Sequence, residues 1–236
     1  MDWLSRTELL LKKEQLEKLK NSHVLVVGLG GVGAYAAEML CRAGVGKLTI
    51  VDGDEVELTN INRQLPATHS NIGKLKANIL AERFRDINPK IEIEVIAEYI
   101  RDERMIEILQ TNYDYIIDAI DTLAPKVFLI YHAVQRGLKI VSSMGSGGRM
   151  NPELVRASDI SKSYNCRLAY ILRKRLGKLG IREGVKVVFS SELVSKEAVV
   201  AEEGLNKKSA VGTISYMPPI FGCHIAGIAI NDIINS

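Results

Sequence analysis

Residues 23–40, HVLVVGLGGVGAYAAEML, decide the fold. A β-branched apolar run, HVLVVG, passes directly into Gly28-Leu29-Gly30-Gly31-Val32-Gly33 and then into AYAAEML, whose residues suit a helix. Strand, glycine turn and helix in that order make a nucleotide site. Glycine permits the tight turn and the close approach of backbone to phosphate, and the helix N-terminus offers unpaired N–H groups to an anion. Gly28, Gly30, Gly31 and Gly33 are candidate nucleotide-binding residues, and Asp52, at the end of the next apolar run, is placed for a ribose hydroxyl. At this stage NAD, FAD and ATP fit equally well, and glycines that serve only strand–helix packing are the structural alternative.

Working outward, the same alternation continues to Ser143. The runs KLTIVD, IEIEVI, YDYIID and LKIVSS suit strands buried on both faces of a parallel sheet. Between them, AYAAEMLCRAG, NIGKLKANILAERFRDINP, DERMIEILQT and TLAPKVFLIYHAVQRG suit crossover helices. After Gly145 the character changes, through a turn-rich SGGRMNPE to a basic helical segment over about 164–179, a strand VKVVFS and a long loop or crossover over 195–212. Pro218-Pro219 then opens a final helix, since proline fits the first helical turn. The expected fold is α/β, a Rossmann-like doubly wound and mainly parallel sheet with an elaborated C-terminal third. One domain over 1–236 is expected, with a nucleotide-binding core at 23–143 and a substrate-binding part at 144–236.

Composition narrows the class. With 47% apolar and 25% charged residues the chain of 236 is globular rather than disordered, and a net charge of +3 does not by itself mark a nucleic-acid binder. Three scattered cysteines cannot build a tetrahedral four-ligand site, so no structural zinc is expected, and they suit a reducing cytoplasm better than a disulfide framework. Cys41 and Cys223 read as core residues; Cys166, in YNCRLAY, lies among basic residues that would favour a thiolate. The opening MDWLSRTELLLKKEQ lacks a signal-peptide core, so no export is expected. The apolar stretch 217–234 is interrupted by two prolines, His224, Asn231 and Asp232, and reads as a buried helix, not a membrane span.

The stretch VDGDEVELTNINRQLPATHSNIGKLKA separates the nucleotide alternatives by placing Asp54, Asn60, Arg63, Gln64 and Lys76 after the ribose position. Hydride transfer has no use for an arginine and a lysine there. Cleavage of ATP between its α- and β-phosphates does, because charge builds on the α-phosphate and on leaving pyrophosphate. Arg63 could meet that charge with its planar fork and Lys76 with a mobile point charge. Asp121, in IIDAIDT, faces the crevice at the carboxyl ends of the strands and could hold Mg²⁺ on the phosphates. Taken alone, Lys76 could equally lie on a solvated helix face.

GLGGVG, VDGD, NINRQ, IGKLK and DAID, in order over residues 23–143, resemble the ubiquitin-activating-enzyme-like adenylyltransferases, which include the ThiF and MoeB types. The resemblance implies Gly30, Gly31 and Gly33 for phosphate approach, Asp52 for ribose, Asn60, Arg63 and Lys76 for the triphosphate, and Asp121 for magnesium. Arg6, in SRTELLL, matches an arginine that in this family reaches the opposite subunit's active site, which implies a homodimer. The two CxxC pairs usual in ThiF and MoeB types are missing, which weakens activation of a small ubiquitin-like sulfur carrier. Beyond residue 143, SMGSGGRMNPELVRASDISKS, VVFSSE and KKSAVGTISYMPPIFG resemble the TcdA branch, whose members dehydrate threonylcarbamoyladenosine in tRNA. That branch implies an ATP-dependent dehydratase working through an acyl-adenylate, with a cysteine-desulfurase system as a possible associate.

The basic segment favours RNA independently. From Arg156 to Arg182 there are eight basic residues and one acid, Asp159. Arg167, Lys174 and Lys178 fall near one helical face; with Arg173 they are candidate phosphate contacts, and Tyr164 and Tyr170 offer stacking surfaces. A soluble helix with an ordinary charged face is the plainer alternative. Competing functions are an adenylyltransferase for a ubiquitin-like carrier, an NAD-dependent oxidoreductase and a non-enzymatic nucleotide-binding module.

Overall fold

The structure is a computed structural model that describes residues 2–201 and 209–236. Its centre is a seven-stranded sheet in the order β3-β2-β1-β4-β5-β7-β6. The strands are β1 (His23–Val27), β2 (Lys47–Val51), β3 (Glu92–Ile96), β4 (Tyr115–Asp118), β5 (Ile140–Ser143), β6 (Val155–Asp159) and β7 (Lys186–Ser190). All neighbours pair in parallel except β6, which runs antiparallel along the edge of β7. The five apolar runs of the first 143 residues are therefore strands, and the expected doubly wound parallel sheet is present. Of these runs β3 departs from expectation: it is an edge strand, and alternate side chains face solvent instead of being buried on both faces.

Helices cover both faces. Val24 and Val26 of β1 join one apolar cluster, with α2 (Gly33–Ala43), α3 (Lys76–Ile87) and α7 (Met217–Ile234). Leu25 and Val27 join the other, with α4 (Asp102–Ile108), α5 (Leu123–Gln135) and α6 (Arg167–Lys178). Successive residues of a strand point to opposite faces, so an unbroken apolar run is the composition this sandwich requires. The N-terminal α1 (Ser5–Lys20), kinked at Lys12, packs on α7.

The C-terminal third holds three departures from the sequence reading. The segment VRASD forms β6, which its exposed polar residues did not announce. Val199–Ala201 and Ser209–Val211 pair as a short antiparallel β8–β9 ribbon within the expected loop over 195–212, of which 202–208 lie outside the described residues. Cys223 is exposed rather than core, because the buried residues of α7 (Met217, Phe221, Gly222, Ile225, Ala226, Ala229) lie on the opposite side of that helix. The helix itself begins with proline in its first turn and packs against α2, long and apolar though it is. Gly222 makes the approach possible: a Cβ there would lie 2.5 Å from the Val32 carbonyl oxygen.

Candidate nucleotide and adenylation site

The sheet's register assembles the site. Val27 pairs with Val51 on one side and Asp118 on the other, so Gly28, Asp52 and Ala119 leave their strands side by side. The chain winds outward from β1 in both directions here, and ligands of open α/β sheets sit in the crevice outside such a switch point.

The glycines divide by their reasons. Gly28 has φ +88°, and a Cβ on it would lie 2.7 Å from the Ala119 carbonyl oxygen. Gly33 is fixed by packing alone, since its Cβ would meet the Gly28 carbonyl oxygen at 1.7 Å. Gly31 seats Pro218 of α7, 2.9 Å from where its Cβ would be. Gly30 differs: its nearest neighbour would be the Gln64 Nε2 at 3.8 Å, so no contact with the described residues demands a glycine there. That opening is what backbone approach to a phosphate needs.

Asp52 accepts from the Leu29 N–H at 2.6 Å and the Asp54 N–H at 2.7 Å, tying the glycine loop to the turn after β2. Burial pushes its carboxyl above the ordinary range, against the pull of those two N–H groups and of Lys76. A carboxylate has about four acceptor positions, so sites remain for ribose hydroxyls. Lys76 is buried at the first position of α3 with its Nζ 2.9 Å from Asp54 Oδ2. Asp54 also accepts from the Tyr99 hydroxyl, whose pKa is pushed up to about 12, first by that hydrogen bond and then by burial. The solvated-face alternative for Lys76 is thereby set aside.

Asn60 is buried and caps the 58–60 turn by accepting from the Glu57 N–H at 3.2 Å. Arg63 lies on the same turn, donating through Nη1 to the Thr59 carbonyl at 2.8 Å and to Asn62 Oδ1 at 2.7 Å. Gln64 stands over Gly30 with a buried Oε1 that has no hydrogen-bond partner among the described residues. Asp121 is exposed in the loop after β4. Among the described residues no group of three or more His, Cys, Asp and Glu side chains converges on a metal position.

Beneath that loop is a cluster the sequence reading missed. Asp118 and Lys126 form a fully buried ion pair at 2.9 Å; the Ser142 hydroxyl donates to Asp118 at 2.6 Å, and Lys126 Nζ donates to the Ile120 carbonyl at 2.8 Å. A single lysine inside the apolar helical stretch LAPKVFLIYHAV was the available signal. Tyr99 had none, because β3 must pair with β2 before it reaches Asp54.

Arg6 is exposed on α1, two residues from Leu4, which packs at Gly44 beyond the C-terminal end of α2. An 11-residue helix separates that end from the glycine loop, roughly 16 Å of rise, so Arg6 stands away from its own chain's crevice. On α6, Arg167, Lys174 and Lys178 are exposed. Arg173 is not placed with them: its Nη1 donates to the carbonyl oxygens of Ile160 at 3.3 Å and Ser163 at 2.8 Å, fastening α6 to the preceding turn. Cys166 is buried just ahead of the helix.

Comparison with known proteins agrees with this geometry. The ThiF family model matches residues 4–235. The tRNA threonylcarbamoyladenosine dehydratase of Bacillus subtilis (strain 168) is 37% identical over 238 residues, covering 98% of this chain and 94% of that protein. The crystal structure of E. coli tRNA N6-threonylcarbamoyladenosine dehydratase, TcdA, in complex with ATP matches with a TM-score of 0.90 at 31% identity, over 98% of this chain and 93% of that one. Its AMP complex matches with a TM-score of 0.88 at 32% identity, with the same coverage of both chains. With a glycine loop at the switch point, and likeness that runs through the C-terminal third, this chain belongs to the ThiF family, in its branch of tRNA threonylcarbamoyladenosine dehydratases.

Proposed function

We propose that this protein is an ATP-dependent dehydratase that cyclises threonylcarbamoyladenosine in tRNA through an acyl-adenylate. The observation that carries it is likeness to the B. subtilis dehydratase over 98% of the chain, beyond the shared nucleotide core and into the residues after 143. In this reading 1–236 act as one unit, with 23–143 binding nucleotide and 144–236 binding substrate. The threonyl carboxylate attacks the α-phosphate of ATP, pyrophosphate leaves, and the neighbouring carbamoyl group displaces AMP from the acyl carbon as the ring closes with net loss of water. No enzyme nucleophile is required, because an intramolecular partner already has a high effective concentration. The protein's work is charge stabilisation and positioning.

Gly30 and its neighbours admit the phosphates, while Asp52 and Gln64 hold the nucleoside side. Arg63 turns from the 59–62 turn to the α-phosphate. Lys76 exchanges Asp54 for a phosphate, and the Tyr99 hydroxyl keeps Asp54 partnered when it does. Mg²⁺ would be held by Asp121 and would supply charge neutralisation on the phosphates. Arg167, Lys174 and Lys178 meet tRNA phosphates. A homodimer completes the site with Arg6 of the second copy, and exposed Trp3, Leu9 and Leu10 beside it supply apolar surface for that contact. A tRNA substrate and three free cysteines suit the cytoplasm.

The test is incubation with ATP, Mg²⁺ and threonylcarbamoyl-modified tRNA, followed by mass analysis of the nucleosides. Loss of one water from the modified adenosine is expected, with turnover down roughly 10²-fold or more in Arg63→Ala and Lys76→Ala. ATP binding without that product would sink the substrate assignment; full turnover by both variants would sink the site.

A further inference from the structure

A cavity of about 300 Å³ opens between α5 and α6, walled by Val127, Phe128, Tyr131 and His132 on one side and by Arg175 and Leu179 on the other. That is the lower limit for a small-molecule site, about 300 Å³, and the cavity is open to solvent. Its wall is aromatic: the Phe128 and His132 ring centroids lie 4.2 Å apart, and Tyr131 meets His132 edge-on at 5.1 Å. Burial, and then Arg136, hold the His132 pKa below its ordinary value.

The surroundings select the occupant. Neither α5 (LAPKVFLIYHAVQ) nor α6 (RLAYILRKRLGK) carries an acidic residue, and Arg167, Lys174, Arg175 and Lys178 of α6 are exposed. Ala124, one of its lining residues, stands in the first turn of α5, which follows the loop that carries Asp121, and Asn165, just ahead of α6, donates to the Ser191 carbonyl beyond the carboxyl end of β7. A ligand that fills the cavity and also meets the exposed cations of α6 must carry negative charge along its length and present a flat apolar group. Single-stranded RNA loops do so, splaying bases onto aromatic side chains while cations hold the phosphates.

We propose that the cavity between α5 and α6 takes one unstacked base from the tRNA loop that carries the modified adenosine, with Arg175 and the exposed cations of α6 on the flanking phosphates. This rests on the tRNA reading above. It assigns loop recognition to a place distinct from the ATP crevice, and therefore to residues whose loss leaves ATP binding intact.

The experiment uses the full chain and an anticodon stem-loop RNA with 2-aminopurine substituted at each loop position in turn. Wild-type protein is expected to change the fluorescence of one position strongly. Leu179→Glu and Arg175→Glu, both on the open rim, are expected to weaken stem-loop binding tenfold or more and to abolish that signal. Their thermal stabilisation by ATP should match wild type, which certifies folding. Tyr131→Ala should lose the fluorescence signal while keeping the salt dependence contributed by α6. Unchanged affinity in both rim variants, with no loop position responding in wild type, would overturn the proposal and leave the cavity to a protein partner. Wild-type protein that neither binds the stem-loop nor dehydrates modified tRNA would overturn the tRNA reading itself and this proposal with it.

Discussion

Lys126 carries two loads from one buried position. Its Nζ neutralises Asp118 at 2.9 Å and holds the Ile120 carbonyl at 2.8 Å, so the loop that presents Asp121 hangs from an ion pair with no exposure to water. Removing one member of such a pair leaves the other charge uncompensated in a low-dielectric interior, at about 3–5 kcal/mol. Lys126→Met is therefore expected to lower the midpoint of thermal unfolding by roughly 6–20 °C, using about 2–4 °C per kcal/mol for a chain of this size. Adding Asp118→Asn should recover part of that loss, since the unpaired charge is then gone. Scanning calorimetry of the two variants checks it; a single variant within 2 °C of wild type would show that the pair does not hold the loop. Legibility at this scale depended on whether a residue's reason was local. The glycines, Asp52 and Lys76 stand in motifs of short spacing and were readable. Arg173 shared the helical segment of Arg167 and Lys174 but not their environment, because Ser163 and Ile160 reach it only once the preceding turn has folded.

Between elements, Glu38 joins α2 to α3. It is nearly buried and accepts from Arg83 at 2.6 Å and from Arg42 at 2.8 Å. Burial raises its pKa, and the two guanidinium groups outweigh that, leaving the carboxyl below its ordinary value. A carboxyl depressed in the folded state contributes stability that is complete above the unfolded value of about 4.3 and is lost as pH falls through the lower folded value. Glu38→Gln is expected to be less stable than wild type by about 1.5–3 kcal/mol at pH 7, the range for hydrogen bonds to charged groups. The difference should shrink once the pH falls below about 4. Urea midpoints at pH 7, 5, 4 and 3 measure it; a difference that stays constant down to pH 3 would assign the effect to packing instead of charge. The same scale explains which elements could be read. β1, β2, β4 and β5 are buried on both faces and advertise themselves as unbroken apolar runs, while β6 borders solvent and reads as a turn-rich polar stretch.

For the molecule as a whole, one sheet brings the crevice together from distant parts of the chain: the loop after β1, the turn after β2, the start of α3, the loop after β4 and, through Pro218 on Gly31, the head of α7. Sequence motifs gave the first four, because each is a short run tied to a strand end. The contribution of α7 depends on small residues of α2 and on Gly222 letting two helices touch, which no local pattern states. A site drawn from so many segments links ligand binding to global folding. At ATP a hundredfold above its dissociation constant, in Mg²⁺, the folded state gains about 2.7 kcal/mol. That gain corresponds to a rise of roughly 5–11 °C in the unfolding midpoint for a chain of this length. NADH, which lacks the triphosphate that Lys76 and Arg63 would meet, should give a rise of less than 2 °C at the same concentration. In Lys76→Ala the ATP-induced rise should fall by at least half, because the lost contact is to phosphate. A larger shift with NADH than with ATP, measured in one differential scanning series, would return the glycine loop to dinucleotide chemistry and leave the arginine and lysine beside it without a function.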